Sequence, residues 1–130
     1  IGTELLLGQI VDTDAAYLAR GLSELGVSVY HRSTVGDNLE RAVAALRQAL
    51  GRADVVFCIG GLGPTADDLT RAAIAQALGV GLRRDPAIAA HLSEWFGRRG
   101  IASPPESVFL QADVPDGGVA MPNPVGTAPG

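Results

Sequence analysis

Lysine is absent from this sequence: all ten basic residues are arginine. A Schiff-base lysine and a phosphate-loop lysine are therefore both excluded within this chain. Cysteine occurs once, as Cys58, so no internal disulfide can form. Two histidines and that one thiol are too few for an imidazole or thiolate metal cage, and any metal would have to be held by carboxylates. Positive charge is also in short supply. The net charge of −4 argues against a surface for nucleic acid, which needs cations clustered on one face. No apolar run approaches the length of a membrane span, so a partner membrane is not expected. The start, Ile1-Gly2-Thr3-Glu4, carries no basic or apolar leader pattern, and a soluble, cytoplasmic chain is the expectation. No repeat or low-complexity linker divides the 130 residues, which suit one domain.

What is present alternates helical and strand-like patterns, the order of an α/β protein with a mostly parallel sheet. Ala15, Leu18, Ala19, Leu22 and Leu25 recur at helical spacing over Thr13 to Leu25, with Asp12 or Thr13 as N-cap and Gly26 as stop. Val27 to Arg32 alternates like a short strand. Asp37-Asn38-Leu39-Glu40 has capping-box form, and Leu39, Val43, Leu46 and Leu50 mark one face of a second helix. Asp54 to Ile59 is a nearly continuous apolar run, predicting a strand covered on both faces. A third helix is predicted from about Asp67 to Leu78. A fourth follows Asp85-Pro86, a cap followed by proline at the first helical position. The remainder, rich in Pro and Gly, reads as loop with one short strand at Val119-Ala120-Met121. Both ends read as cut.

The strongest chemical signal is Gly60-Gly61-Leu62-Gly63-Pro64-Thr65-Ala66-Asp67-Asp68-Leu69-Thr70, between a buried strand and a helix. Glycines there let backbone approach a ligand, and unpaired N–H groups favour an anion such as phosphate. In open α/β sheets the ligand crevice lies beyond the carboxyl ends of the strands, where this loop is expected. Asp67 and Asp68 would repel a phosphate unless a divalent cation bridges them to it. Equally, either carboxylate could simply complement the helix dipole. Gly2 to Asp14 should bring Thr3, Glu4 and Asp12 towards the same crevice, although spacing alone favours an N-cap for Asp12. The last loop, Asn123 to Gly130, offers backbone donors and the Thr127 hydroxyl, or a plain turn. Cys58 reads as a small buried strand residue, His31 and His91 as surface residues, Trp95-Phe96 as core, and the Arg83-Arg84 and Arg98-Arg99 pairs as solvated.

Gly2-Thr3-Glu4-Leu5-Leu6-Leu7-Gly8, Thr34-Val35-Gly36-Asp37-Asn38, the glycine loop to Thr70, and Asn123-Pro124-Val125-Gly126-Thr127-Ala128-Pro129-Gly130 resemble the CinA (competence- and damage-inducible) family in identity, order and spacing. The resemblance covers essentially the whole chain. It implies the molybdopterin-binding-like fold of the MoaB/Mog proteins, a three-layer sandwich with helices on both faces of a mostly parallel sheet, and a homo-oligomer. It also implies a small phosphorylated ligand, ADP-ribose or a pterin. The expected activity is metal-dependent hydrolysis of the ADP-ribose pyrophosphate, with Mg, Mn or Co; the alternative is a module that binds molybdopterin or a nucleotide without cleaving it. On the hydrolytic reading Asp67 and Asp68 hold the metal and Glu4 or Asp12 serves as a further ligand or base. Gly60, Gly61, Gly63, Thr65, Thr70, Asp12, Asp37, Asn123, Gly126 and Thr127 line the ligand. The carboxyl-terminal deamidase domain of many members is not expected in residues 1–130. Asp14 departs from the Asn usual in the family, and the stretch before Gln111-Ala112 lacks the family's polar and basic positions.

Overall fold

The computed structural model describes residues 1–130. In chain order its elements are α1 (Thr3–Leu6), α2 (Thr13–Glu24), α3 (Leu39–Leu50), α4 (Thr70–Leu78), β1 (Leu82–Arg84), α5 (Pro86–Gly97), a 3-10 helix (Glu106–Ala112) and β2 (Asp113–Pro115). No helix is long and apolar enough to cross a membrane.

The longer helices follow the sequence pattern because their signals are local. Asp12 caps α2 by accepting the Ala15 amide at 2.9 Å, and Asp85 caps α5 by accepting the Ala87 and Ile88 amides at 2.9 and 3.2 Å. The cap of α3 is Asn38, which accepts the Arg41 amide at 3.0 Å. Asp37 is thereby free to turn towards Thr3. Helix α4 begins at Thr70 rather than near Asp67, because a separate turn takes up the residues before it.

Helices α3 and α4 pack on each other through Ala42, Val43, Leu46 and Ala73, with Ile1, Val35, Val56 and Cys58 against the cluster. Small residues at Ala42 and Ala73 allow this close approach. A second cluster of Leu92, Val108 and Ala112 seats α5 on the 3-10 helix.

The sheet departs from expectation. The one ladder is the antiparallel pair β1 and β2, with Leu82 opposite Pro115, Arg83 opposite Val114 and Arg84 opposite Asp113. Side chains reinforce this register. Arg84 donates to Asp113 at 2.8 and 3.3 Å and to Glu106 at 2.7 Å, so it is paired and not merely solvated. The two predicted parallel strands run without helix, turn or bend over residues 27–36 and 55–59, yet neither forms a ladder. The three-layer parallel sandwich is therefore not realised in hydrogen-bonded form. A strand, unlike a helix, has no internal partner for its backbone groups and becomes one only beside another strand. Nor is Val119-Ala120-Met121 a strand: Met121 instead exchanges two backbone bonds with Gly130, at 2.7 and 3.0 Å, closing the last loop on itself.

Candidate functional site

Three turns meet where the two open segments end. The Ile1 ammonium donates to the Ile59 carbonyl at 2.7 Å, and the Gly2 amide donates to the Val35 carbonyl at 2.9 Å. Beyond them, Thr3 and Asp37 bond reciprocally: the Thr3 amide donates to Asp37 Oδ2 at 2.9 Å and the Asp37 amide to Thr3 Oγ1 at 3.0 Å. The Thr3 amide, and then its hydroxyl, hold the Asp37 carboxyl below its ordinary value. The Glu4 carboxylate lies over Gly2, where an added Cβ would come within 2.5 Å of it.

The glycine loop lies against the first of these turns. Gly60 has φ 86°, and a Cβ there would meet the Ile1 carbonyl oxygen at 2.6 Å. Gly61 has φ 65°, and its Cβ would meet Thr70 Oγ1 at 2.6 Å. Both positions therefore require glycine for backbone sign and for space. Thr70 is 1% exposed; its hydroxyl donates to the Gly60 carbonyl at 2.6 Å and its amide to Gly61 at 3.2 Å. Thr70 thus braces the loop from beneath.

Asp68 occupies the inside of the loop. Its Oδ2 accepts the Thr65 amide at 2.8 Å and the Thr65 hydroxyl at 2.6 Å, and the carboxylate lies where a Gly63 Cβ would be. The carboxylate thus reaches back three residues and closes the turn that precedes α4. Partial burial pushes the Asp68 carboxyl up, but the Thr65 hydroxyl, the Thr65 and Gly63 amides and the Arg71 charge together outweigh that and hold it below its ordinary value. Asp67 is exposed, and its side chain makes neither hydrogen bond nor ion pair.

Arg71 is the site residue that sequence reading passed over. Its guanidinium donates to the carbonyls of Leu62 and, at 2.8 Å, Gly63, clamping the loop from the first turn of α4. Burial pulls the Arg71 guanidinium down from its ordinary value, against the opposing pull of Asp68 and Asp113. Its position one residue after Thr70, facing back along the helix to the loop, is the only signal the sequence offered.

The remaining candidates lie elsewhere or are committed otherwise. Asp12 pairs with Arg32 at 2.8 Å besides capping α2; the Ala15 amide first, then Arg32, holds its carboxyl low. Asn123 accepts the Val125 and Gly126 amides at 3.0 and 3.1 Å and donates to Ala128 at 2.9 Å, forming its own turn. The Thr127 hydroxyl donates to the buried Gln111 at 2.7 Å, tying this loop to the 3-10 helix; no hydrogen bond joins it to the glycine loop. Cys58 is half-buried, and burial pushes its thiol up, away from reactivity. No group of three or more His, Cys, Asp or Glu side chains converges into a metal cage. Of the two loop carboxylates, Asp68 is held by Thr65 within the loop and Asp67 is exposed.

Over residues 1–130 the chain matches the family described as probable molybdopterin binding domain. The chain belongs to that family. Within it, the likeness is to CinA-like members. A putative competence-damage inducible protein from Symbiobacterium thermophilum is 52% identical over 100% of this chain and 30% of its own length. A CinA-like protein from Desulfovibrio desulfuricans is 49% identical over the same shares. The crystal structure of CinA from Thermoplasma acidophilum, a protein of unknown function, superposes with a TM-score of 0.91 at 36% identity, covering 99% of this chain and 75% of that one. This CinA-like domain therefore has an α/β fold, and it spans about 30% of the length of those curated relatives.

Proposed function

We propose that this CinA-like domain binds the pyrophosphate of a nucleotide-like ligand on the Gly60–Thr70 loop and hydrolyses it with a divalent cation, ADP-ribose being the substrate of choice. The observation that carries the reading is the placement of Asp68: the Thr65 amide and hydroxyl already hold an oxyanion, at 2.8 and 2.6 Å. A carboxylate oxygen there stands in for a phosphate oxygen. An entering phosphate takes those donors and releases Asp68, which then joins Asp67 as a carboxylate pair beside the ligand. That pair would hold Mg²⁺, Mn²⁺ or Co²⁺, which supplies charge neutralisation at the pyrophosphate and lowers the pKa of water. Thr65 and the loop amides stabilise the charge that develops on the phosphoryl oxygens, while Arg71 and Thr70 keep the loop from yielding. Glu4, whose carboxylate lies over Gly2, would accept a proton from the attacking water.

The test is direct: incubate the protein with ADP-ribose and each metal in turn, and look for AMP and ribose phosphate. Absence of product with every metal ends the hydrolytic reading. The second reading is a module that binds molybdopterin or a nucleotide without turnover. Calorimetry distinguishes it, since binding would then be tight and indifferent to metal.

A further inference from the structure

Four consecutive carbonyls of the glycine loop turn to the same two residues. The Gly60 carbonyl accepts the Thr70 hydroxyl at 2.6 Å, and the Gly61 carbonyl accepts the Thr70 amide at 3.2 Å. The Leu62 carbonyl and, at 2.8 Å, the Gly63 carbonyl accept the Arg71 guanidinium. In an extended chain successive carbonyls point to opposite sides. Positive φ at Gly60 and Gly61, 86° and 65°, breaks that alternation and lets the row face one way, towards the first turn of α4.

Each of these peptide units is trans and planar, so the N–H of the following residue points away from the carbonyl that is held. The amides of Gly61, Leu62 and Gly63 are therefore turned away from Thr70 and Arg71, and none of them donates to a backbone carbonyl. The fourth unit ends at Pro64, which has no N–H to present. Gly63 shows what such donors take. The Asp68 carboxylate, held by Thr65, lies against Gly63 and has its amide as a further, weaker donor. Behind the row stands the half-buried Arg71 charge, which offsets the negative ends of the peptide dipoles and leaves their positive ends to an anion.

We propose that Thr70 and Arg71 are positioning residues with divided roles. Thr70 aims the Gly61 and Leu62 amides, Arg71 aims the Gly63 amide, and the three successive N–H groups form one donor row for the phosphoryl oxygens of a diphosphate. This deepens the hydrolytic reading and rests on its placement of pyrophosphate at the loop. Neither Thr70 nor Arg71 touches the ligand; each acts through the peptide unit whose carbonyl it holds.

The experiment follows the amide NMR signals of the chain as metal-free inorganic pyrophosphate is added, because an N–H that gains an anionic acceptor moves downfield. In the unaltered protein Gly61, Leu62 and Gly63 should move together with Thr65. Arg71→Ala should silence Gly63 while Gly61 and Leu62 still respond. Thr70→Val should silence Gly61 while Gly63 still responds, and Thr70→Ser, which keeps the hydroxyl, should restore Gly61. Arg71→Ala and Thr70→Val should each weaken pyrophosphate roughly tenfold, the loss of about one hydrogen bond to a charged group. Movement of Thr65 alone in the unaltered protein would overturn the donor row and leave the pyrophosphate reading standing. Movement of no loop amide would overturn both. Equal attenuation of all three amides in either variant, the mark of a loop merely loosened, would overturn the division of roles.

Discussion

At the scale of single residues, the glycine loop is defined by what cannot be added to it and by what holds it. Gly60→Ala would force a positive φ on a side chain and drive its Cβ into the Ile1 carbonyl. A loss of about 1–3 kcal/mol is expected, read from the denaturation midpoint. Arg71→Ala removes two charge-assisted bonds to loop carbonyls and should cost about 1.5–3 kcal/mol. Arg71→Lys should recover little of that loss, because one ammonium cannot reproduce a fork that spans two carbonyls. Asp68→Ala separates binding from turnover. Removing the carboxylate frees the Thr65 donors, so metal-free affinity for ADP-ribose should hold or tighten while metal-dependent hydrolysis falls by roughly a hundredfold. Calorimetry and product analysis on one protein sample check both halves. Parallel loss of binding and hydrolysis would mean that Asp68 serves only to shape the loop.

Elements of the fold divide by whether their hydrogen bonds are local. Asp85 was legible as a cap because a helix start is written in a few adjacent residues: an acceptor side chain, a proline, and an apolar stripe behind them. Asp85→Ala leaves two amides of α5 without that acceptor and should destabilise the domain by about 1 kcal/mol, measured by chemical denaturation. The glycine loop was legible as a loop between an apolar run and a helix. The roles within it were not. Thr70 reads as a ligand contact and is in fact buried beneath the loop; Asp37 reads as a helix cap and instead locks the Thr3 turn. Both outcomes depend on a partner far away in sequence, and spacing carries no record of such partners. The β1 and β2 ladder was missed for a related reason: three residues on each side are too few to show a period.

For the whole molecule, three carboxylates held by hydrogen bonds set how it responds to acid. Asp12, Asp37 and Asp68 all have carboxyls held below their ordinary values. A group depressed in the folded state contributes stability at pH values above its unfolded pKa, and that contribution fades as pH falls through the folded value. The domain should therefore hold its stability at neutral pH and lose it progressively below about pH 4, where such carboxylates take up protons. Thermal scans from pH 7 to 3 check the sign. Asp68→Asn and Asp37→Asn should flatten the acid limb, since each removes one titrating group while keeping its shape.

The sequence by itself determined the four longer helices and the glycine loop, since these follow from side-chain type and from bonds a few residues long. Only the tertiary structure decided that Asp68 lies within the loop and that Arg71 clamps it. A strand edge, an ion partner or a buried hydroxyl acquires its role from whatever the fold sets opposite it, and that neighbour is remote along the chain.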